Sequence, residues 1–280
     1  MRVPPTAMVL GGVVSVQFGG ALAATLINEI GAPGTVAVRL ALAVPILLLI
    51  ARPTLRRRSR RDLGAVLAFG TVLGLMNLCF YLSLERLPLG VAVTIEFIGP
   101  LGLAAVMSRR RRDFVAAAAA AIGVVLVNGH ELSEVDWLGV AFAAAAGVLW
   151  AGYILLSAET GRRFAQLDGL ALAMVVATAI TVPVGFATTT DLIHWRTILI
   201  GLAIAVLSSV LPYSLETLAL RTMRPAVFGI LMSLEPAVGA TAGYLILHQL
   251  LTPVQLAGMA CVVGASIAIT RTSQTEAPDL

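Results

Sequence analysis

Long apolar stretches, separated by short polar or arginine-rich segments, run along almost the whole chain. Ten of them approach the roughly 20 residues that a helix needs to cross a bilayer. The segments between them are short, which leaves almost no chain for a soluble domain. The pattern therefore predicts an all-α integral membrane protein. The ten predicted spans cover residues 7–26, 34–51, 63–84, 90–107, 114–128, 137–156, 169–187, 197–216, 226–247 and 253–270.

Composition and charge agree with this class and orient the protein. Hydrophobic residues make up 59% of the chain and charged residues 12%, against about 25% charged in a typical soluble domain. All nineteen basic residues are arginine. If the spans alternate in direction, sixteen of these arginines lie on the same side of the membrane as the N-terminus. Because arginine in short loops stays cytoplasmic, we expect both termini in the cytoplasm, in a bacterial inner membrane. The clusters at 52–61 and 109–112 then face anionic lipid, and we expect no nucleic acid partner.

The two halves of the chain repeat weakly at a shift of 136 residues, which places Pro100 over Pro236. Five helices per half is an odd number, so two similar halves enter the membrane in opposite senses. The sequence therefore predicts ten transmembrane helices as two inverted five-helix repeats, residues 1–135 and 136–271, with a cytoplasmic tail at 272–280. In such a plan the substrate site lies near the midplane, between the halves.

Charged residues inside the predicted spans are few and mark candidate functional positions. Glu96 and Arg39 each lie about six residues into spans that run in the same direction, so they are predicted to share one depth and to be able to meet. An ionisable group at that depth costs about 2.5–3.5 kcal/mol on insertion scales and usually faces a cavity or a partner. The pair is either a structural ion pair or part of a site for substrate or protons, and we favour the second interpretation.

Proline residues accompany both acids that lie deep in the predicted spans. Glu235 is close to the middle of its span, directly before Pro236, and Pro100 follows Glu96 at the repeat-related position. A proline inside a helix frees the carbonyl four residues earlier and loosens the helix there. Pro100 and Pro236 are therefore predicted to break helices at a gate, and Glu96 and Glu235 are the candidates for proton coupling.

Further polar and aromatic residues at membrane depth are weaker candidates for a pore wall. Asn77 and Tyr81 share one helix face, and Gln17 lies in the middle of the first span. For each of them an ordinary interhelical hydrogen bond or an interfacial aromatic is the simpler interpretation. The remaining weak candidates, toward the predicted cytoplasmic side, are Trp150, Tyr153, Tyr213 and Glu216.

Nothing in the sequence points to an enzyme, a metal or a cofactor. The three histidines fall in or near the predicted outer loops, and among them only His130 has a potential ligand partner at helical spacing, Glu134, in a loop whose default interpretation is a solvated turn. Cys79 and Cys261 lie in predicted spans, where a thiol packs as a small apolar group. The glycine pairs Gly70/Gly74 and Gly239/Gly243 predict close helix packing. We expect no catalytic residue, no metal and no cofactor.

Several stretches together resemble one known family. They are GAPGTVAVRLALA, NLCFYLSLERLPLGVAVTIEFIGPLG, SRRRRDFV, GVLWAGYILLS and the block from SSVLPYSLET to VVGASIAIT. Their order and spacing, over about residues 8–270, are similar to those of the threonine and homoserine exporters in the EamA group of the drug/metabolite transporter superfamily. The resemblance implies a ten-helix carrier built from two inverted repeats around a central cavity, which exports small amino acids in exchange for protons. Where many relatives have Gly-Glu before LTP, this chain has His248 and Gln249. The missing acid puts in doubt a periplasmic contact or a proton entry point in that predicted outer loop, more than it does the fold.

A zwitterionic substrate would give the polar candidates separate roles. Arg39 suits the substrate carboxylate because its guanidinium is a fork of fixed donors, and Glu96 suits the ammonium. We expect protons, a small amino acid and membrane lipid as partners, and a monomer or homodimer. Alternatives left open are a carrier for a purine, a drug or another amino acid, uptake in place of export, and a passive channel. Further candidates are Tyr81 and Tyr153 for the ammonium and Asn77 and Gln17 for the substrate hydroxyl.

Overall fold

A computed structural model describes residues 4–54, 58–108, 136–189, 191–220, 228 and 231–274. Within these ranges the chain is helical and contains no strand, which confirms the predicted all-α class. A π-helical segment, Val206–Val210, joins two of the helices, and we call it the π segment. The α-helices are α1 (Pro5–Ala51), α2 (Arg60–Leu84), α3 (Leu89–Glu96), α4 (Ile98–Ser108), α5 (Trp137–Arg163), α6 (Asp168–Thr188), α7 (Trp195–Ala205), α8 (Leu211–Leu220), α9 (Glu235–Leu247) and α10 (Pro253–Gln274).

Several helices have the length and the apolar composition that a membrane-spanning helix requires. Within the described ranges, five segments are long and apolar enough to cross a bilayer. The helices α3 and α4 together match the span predicted at 90–107, whereas the span predicted at 114–128 lies outside the described residues. The number of crossings therefore stays a prediction. The five segments are Pro5–Ala51, Arg60–Leu84, Trp137–Arg163, Asp168–Thr188 and Trp195–Ala219.

The helix α1 contains the first two predicted spans, joined by a sharp turn at Gly31. The φ angle of Gly31 is 74°, in the left-handed region that glycine enters at little cost. Beyond the turn, the Ala32 N–H donates to Oε1 of Glu85 at 2.5 Å. This carboxylate takes the place of an N-cap side chain, since the freed N–H has no partner in the turn before it. We call residues 5–30 and 32–51 the first and second arms of α1.

One end of the bundle carries most of the described arginines, and we call it the arginine-rich end. Arg58 lies 3.7 Å from Asp168, and Arg163 lies 3.3 Å from Asp62, so the segment after α1 contacts the segment between α5 and α6. Ion pairs that stay partly exposed at the surface contribute little to stability. Their value here is geometric, because they show that the two arginine-bearing loops lie at the same end.

The opposite end holds the Gly31 turn and the loop between α2 and α3. Asp136 accepts from the Gly139 N–H at 2.9 Å and lies 3.0 Å from Arg86. The Gly139 backbone bond, with the Arg86 guanidinium, holds the pKa of Asp136 below its ordinary value. The Asp136 carboxylate thus caps α5 and ties its start to the loop that follows α2.

The residues that depart from the family's Gly-Glu pattern also lie at the opposite end. His248 ends α9 with a left-handed φ of 55°. Gln249 Oε1 accepts from the Leu89 N–H at 3.0 Å, at the start of α3, where Pro88 offers no capping side chain. The amide of Gln249 therefore makes a contact between α9 and α3 without the charge that a glutamate would bring.

Helix packing follows one pattern in both parts of the chain. The helix α1 packs on α8 and α9. The helix α5, which lies 136 residues after the first arm of α1, packs on α2 and α4, which are related to α8 and α9 by the same shift. In addition α1 packs on α6, and α3 packs on α9. At the last contact a Cβ on Gly90 would lie only 3.0 Å from the Ala240 Cα, so α3 and α9 meet backbone to backbone.

The helices α2 and α6 approach equally closely. A Cβ on Gly70 would lie 2.5 Å from the Ala173 carbonyl oxygen, and one on Gly74 would lie 3.2 Å from the Ala177 Cα. The close packing predicted at this glycine pair is confirmed. Such contacts are the usual basis of helix association in a bilayer, where burial of apolar surface gives no net gain.

We expect Gly70→Ala to destabilise the protein by about 1–3 kcal/mol, because the new methyl group would overlap backbone and force α2 and α6 apart. The measurement is thermal unfolding of the purified protein in detergent. Gly64→Ala is the matched control, since it lies on the same helix with nothing within 4 Å of an added Cβ. Equal unfolding temperatures for Gly70→Ala and Gly64→Ala would contradict this packing.

Candidate functional site

A cavity of about 80 Å³ lies inside the helix bundle. About 10–15 Å³ of such space holds one water molecule, so the cavity has room for several waters or for a small polar solute. Its wall combines the two arms of α1 with α2, α3, α5, the π segment, α8 and α9. Apolar side chains make up part of this wall, and ten polar or charged residues make up much of the rest.

The structure brings the predicted binding residues to this one cavity. Asn77 and Gln17 are 4% and 5% exposed, and their burial in the wall follows from the packing of α1 and α2 around it. Glu235, predicted for proton coupling, lines the same cavity. The roles assigned to these residues stay predictions. The residues predicted to bind substrate, all in the cavity wall, are Gln17, Arg39, Asn77, Tyr81, Glu96 and Tyr153.

Arg39 is 3% exposed and is held by the protein through all three guanidinium nitrogens. Its Nη1 donates to the Tyr81 hydroxyl at 2.6 Å, and its Nε donates to Ser209 Oγ at 2.8 Å. Its Nη2 donates to the Ser208 carbonyl at 3.0 Å and lies 3.5 Å from the Tyr213 hydroxyl. The guanidinium is thus fixed in one orientation beside the cavity, which is the condition for binding a planar anion.

The carbonyl that Arg39 binds is free because of a proline. Pro212 has no N–H, so the Ser208 carbonyl loses its α-helical donor. The Leu211 N–H bonds to the Val206 carbonyl in π register, so the Leu207 carbonyl loses its donor as well. Arg39 donates to the Ser208 carbonyl, and Ser15 Oγ donates to the Leu207 carbonyl at 2.7 Å. Side chains from both arms of α1 therefore satisfy the backbone that the π segment leaves open.

Arg39 and Glu96 share the cavity, but no hydrogen bond or ion pair joins them in the described part of the chain. The two side chains therefore share the cavity without a direct ion pair, and their roles stay predictions. The free Ser208 carbonyl draws Arg39 toward the π segment. The position of Glu96 is set from the other side, because a Cβ on Gly147 of α5 would lie 2.5 Å from the Glu96 carbonyl oxygen.

Three carboxyl groups line the cavity, those of Glu96, Glu216 and Glu235. Glu96 and Glu235 are 9% and 4% exposed, and no hydrogen bond or ion pair joins either carboxyl group to another described residue. Glu216 lies against the first arm of α1, where its Cγ is 3.7 Å from the place of a Cβ on Gly12. Buried carboxyl groups without protein partners are suited to hold a proton or a ligand cation.

A helix boundary lies near each of the two prolines that were predicted to break helices. α3 ends at Glu96, and Phe97 separates it from α4, in which Pro100 leaves the Glu96 carbonyl without a donor. α9 begins at Glu235, directly before Pro236, after a turn in which the Leu234 N–H bonds to the Leu231 carbonyl. Each break therefore sets a carboxyl group at the cavity. Their use as a gate stays a prediction.

Ser208 and Ser209 were not among the predicted site residues, although they surround Arg39. The available signal was Pro212 inside an apolar run, three residues after Ser209. Depth in the membrane alone identifies charges, because they are costly there, whereas small hydroxyl residues are common in such helices. Tyr213 and Glu216, rated as weak candidates from the sequence, also line the cavity.

Comparison with known proteins gives concordant results. Residues 137–271 match the model of the EamA-like transporter family. The chain is 40% identical over 275 residues to the threonine/homoserine exporter RhtA of Escherichia coli strain K12, covering 97% of this chain and 93% of that protein. It is 39% identical, over the same shares, to the protein of the same name from Salmonella typhimurium strain LT2. A crystal structure of 14% identity superposes with a TM-score of 0.64 over 96% of this chain and 99% of that one, and so shares the fold.

We expect Arg39→Lys to lower the free energy of unfolding by about 3 kcal/mol, because one ammonium cannot reach Tyr81, Ser209 and the Ser208 carbonyl together. Thermal or denaturant unfolding of the purified protein measures the change. Arg52→Lys, at the exposed end of the same helix, is the control and should leave stability unchanged. If both variants unfold alike, the guanidinium network does not hold the bundle together.

Proposed function

The chain belongs to the EamA-like transporter family, and we propose that it exports threonine- or homoserine-like amino acids across the bacterial inner membrane in exchange for protons. It is a multi-pass membrane transporter and not an enzyme. The observation that carries the proposal is the cavity, in which one fixed guanidinium and three carboxyl groups, two of them buried, surround space for a small solute. The near full-length similarity to named amino-acid exporters supports this choice of substrate.

We propose ten transmembrane helices in two inverted repeats, residues 1–135 and 136–271. The alternation of packing partners between α1 and α5 supports this arrangement. So does the cavity wall, half of which consists of residues 136 positions apart, as expected for a site on a pseudo-two-fold axis. The four related pairs in the wall are Gln17 and Tyr153, Asn77 and Tyr213, Phe80 and Glu216, and Glu96 and Met232.

We propose that the arginine-rich end faces the cytoplasm, with both termini on that side. The ion pairs of Arg58 and Arg163 support a common side for residues 58–61 and 162–163. The described loops at the other end carry Arg86 and Arg196, each close to an acidic residue. This distribution is the one that the positive-inside rule requires.

The cavity offers a complement to each group of a hydroxy amino acid. Arg39 would hold the carboxylate, and Glu96 or the face of a tyrosine would hold the ammonium. The Nδ2 of Asn77 already donates to the Leu73 carbonyl at 2.8 Å, which leaves its oxygen to accept from a substrate hydroxyl. Gln17 offers a second amide, next to Gly239 of α9.

Proton coupling follows from the charges in the cavity. With every group ionised, three carboxylates and one guanidinium would leave two uncompensated negative charges in a buried site, which is costly. The empty cavity therefore keeps protons on its carboxyl groups. A bound ammonium replaces a proton as the partner of a carboxylate, and the released proton can leave in the opposite direction. We assign this exchange to Glu96 and Glu235.

The short helices α3 and α9 are proposed to form a gate. Each is bounded by a proline-associated break beside the cavity, at Pro100 and Pro236, and they contact each other at the opposite end through Gly90 and Ala240. Gln249 adds a hydrogen bond across that contact. Rotation of the two helices about their breaks would open the cavity to that end.

We expect Glu96→Gln to abolish the stimulation of efflux by a pH gradient, because the amide cannot load and release a proton. The measurement is efflux of labelled threonine and homoserine from proteoliposomes, with and without an imposed gradient. Glu29→Gln, an exposed glutamate on α1 that pairs with Arg196, is the control and should behave as wild type. Unchanged pH dependence in both Glu96→Gln and Glu235→Gln would reject the coupling assignment.

Counterflow separates a carrier from a passive channel in the same vesicles. A carrier is stimulated by unlabelled substrate on the opposite side, because the loaded site returns faster than the empty one. A channel shows no such stimulation. Absence of counterflow, or no movement of either amino acid by wild-type protein that binds other solutes, would overturn the proposed function while leaving the fold intact.

We expect Pro100→Ala to slow exchange without weakening substrate binding. Alanine supplies the N–H that the Glu96 carbonyl lacks, and one helix hydrogen bond of about 0.5–1.5 kcal/mol would stiffen the break and slow the gate by about 2- to 12-fold. Exchange rate and Kd are measured separately. Pro183→Ala in α6, away from the cavity, is the control. A raised Kd with an unchanged rate would place Pro100 in binding and not in gating.

A further inference from the structure

One polar group in the cavity wall is unused by the network around Arg39. Ser208 is 1% exposed and lines the cavity, and its Oγ has no hydrogen-bond partner among the described residues. Other buried hydroxyls bond back to a carbonyl of their own helix, as Thr94 and Thr181 do at 2.6 and 3.0 Å. A buried hydroxyl without a partner costs about 1–3 kcal/mol. Such a group on a residue of the cavity wall indicates a partner that arrives with a ligand.

The position of Ser208 separates it from the other buried hydroxyls that lack a partner. Four such groups occur in the described part of the chain, and Ser208 alone among them lines the cavity. Its place is set by Gly19 on the first arm of α1, where a Cβ would overlap Ser208 Oγ and lie 2.9 Å from the Leu207 Cβ. Only glycine permits this approach, so Ser208 Oγ packs against the first arm of α1 at Gly19, next to the wall residue Gly20.

Arg39 keeps donor capacity beside this hydroxyl. A guanidinium carries five N–H groups, and the bonds to Tyr81, Ser209 and the Ser208 carbonyl use three of them. The other two, one on each terminal nitrogen, have at most the long 3.5 Å contact with Tyr213. Because Nη2 already donates to the carbonyl of Ser208, the unused donors and the Ser208 hydroxyl belong to one small region of the wall.

We propose that Ser208 Oγ and the unused N–H groups of Arg39 form the subsite for the carboxylate of the transported amino acid. This inference rests on the proposed function, since it names the substrate group that this wall binds. The nearest full charge is the guanidinium, which repels an ammonium and attracts a carboxylate. A hydroxyl donor beside it adds a charge-assisted hydrogen bond to the same anion. The π segment is thus a binding element, and Ser208 is a substrate-binding residue.

The test compares three ligands by calorimetry on the purified full-length protein. They are threonine, 2-aminobutyrate, which lacks the side-chain hydroxyl, and the amino alcohol in which the carboxylate of threonine is replaced by a CH₂OH group. Ser208→Ala should raise the Kd of threonine and of 2-aminobutyrate by the same factor, about tenfold or more. Binding of the amino alcohol should not change. Ser214→Ala, which removes another partnerless serine hydroxyl, outside the cavity wall, should alter none of the three.

Thermal unfolding of the same variants separates binding from a structural role. Ser208→Ala should unfold at the wild-type temperature or above it without ligand, because it removes an unsatisfied hydroxyl, and the rise in Tm on adding threonine should shrink. A fall in the ligand-free Tm would make Ser208 structural. If Ser208→Ala raised the Kd of threonine alone, Ser208 would be assigned to the side-chain hydroxyl of the substrate. The inference would also be overturned if Ser214→Ala raised the same Kd values, or if Ser208→Ala raised none of them.

Failure of the proposed function gives a different result. If wild type binds neither threonine nor homoserine, the twenty common amino acids are screened and the tightest ligand is used in the same comparison. A weaker Kd in Ser208→Ala alone would then support the carboxylate subsite with another substrate. If no amino acid binds to the wild-type protein, the subsite is rejected together with the function.

Discussion

A bilayer supplies no water to the backbone, so every N–H and C=O outside the helical ladder needs a partner from the protein. Pro212 breaks the ladder, and the carbonyls of Leu207 and Ser208 are satisfied by Ser15 and Arg39. These two side chains come from the two arms of α1, so the missing N–H of Pro212 and the π register before it together bind both arms to the π segment. The burial of Arg39 follows from this requirement, and the cavity lies beside the junction.

The same constraint explains why the other interruptions border the cavity. Irregular backbone is tolerated at membrane depth only where protein covers it or where it lines a polar space. Pro100 and Pro236 stand at such interruptions, and each has a glutamate of the cavity wall beside it. Proline alone does not produce this result, since Pro45 and Pro183 lie within helices that continue through them. The interruptions and the polar wall therefore form one feature of the fold.

The sequence predicted the helices well, because the thickness of a bilayer fixes their length. The span expected at 169–187 is α6, Asp168–Thr188. The sequence also selected Arg39, Glu96 and Glu235 as candidates, and all three line the cavity. Charges in apolar runs are costly enough to mark a cavity or a partner. These predictions depend on depth along the membrane normal, which residue numbers give directly.

What the sequence did not predict depends on rotation about the helix axes and on register. Arg39 and Glu96 lie at similar depth, yet packing of Gly147 against the Glu96 backbone and the pull of the Ser208 carbonyl on Arg39 set their directions. A hydrophobic pattern does not say which carbonyl loses its donor when a helix changes to π register. The direction that Arg39 takes also brings it to Tyr81, which was expected to contact substrate and accepts a hydrogen bond from Arg39.

The placement of charge relative to the movable parts links binding to transport in the proposed mechanism. Arg39 is tied to α1, α2 and the π segment, whereas Glu96 and Glu235 lie where α3 ends and α9 begins, the helices proposed to move. A zwitterion that bridges the guanidinium to a carboxylate holds the movable helices against the fixed part. A proton on the carboxylate removes that bridge. Ligand and proton then favour different positions of the gate, because they compete for one carboxylate. A substrate with a single charge could not bridge the guanidinium and the carboxylate.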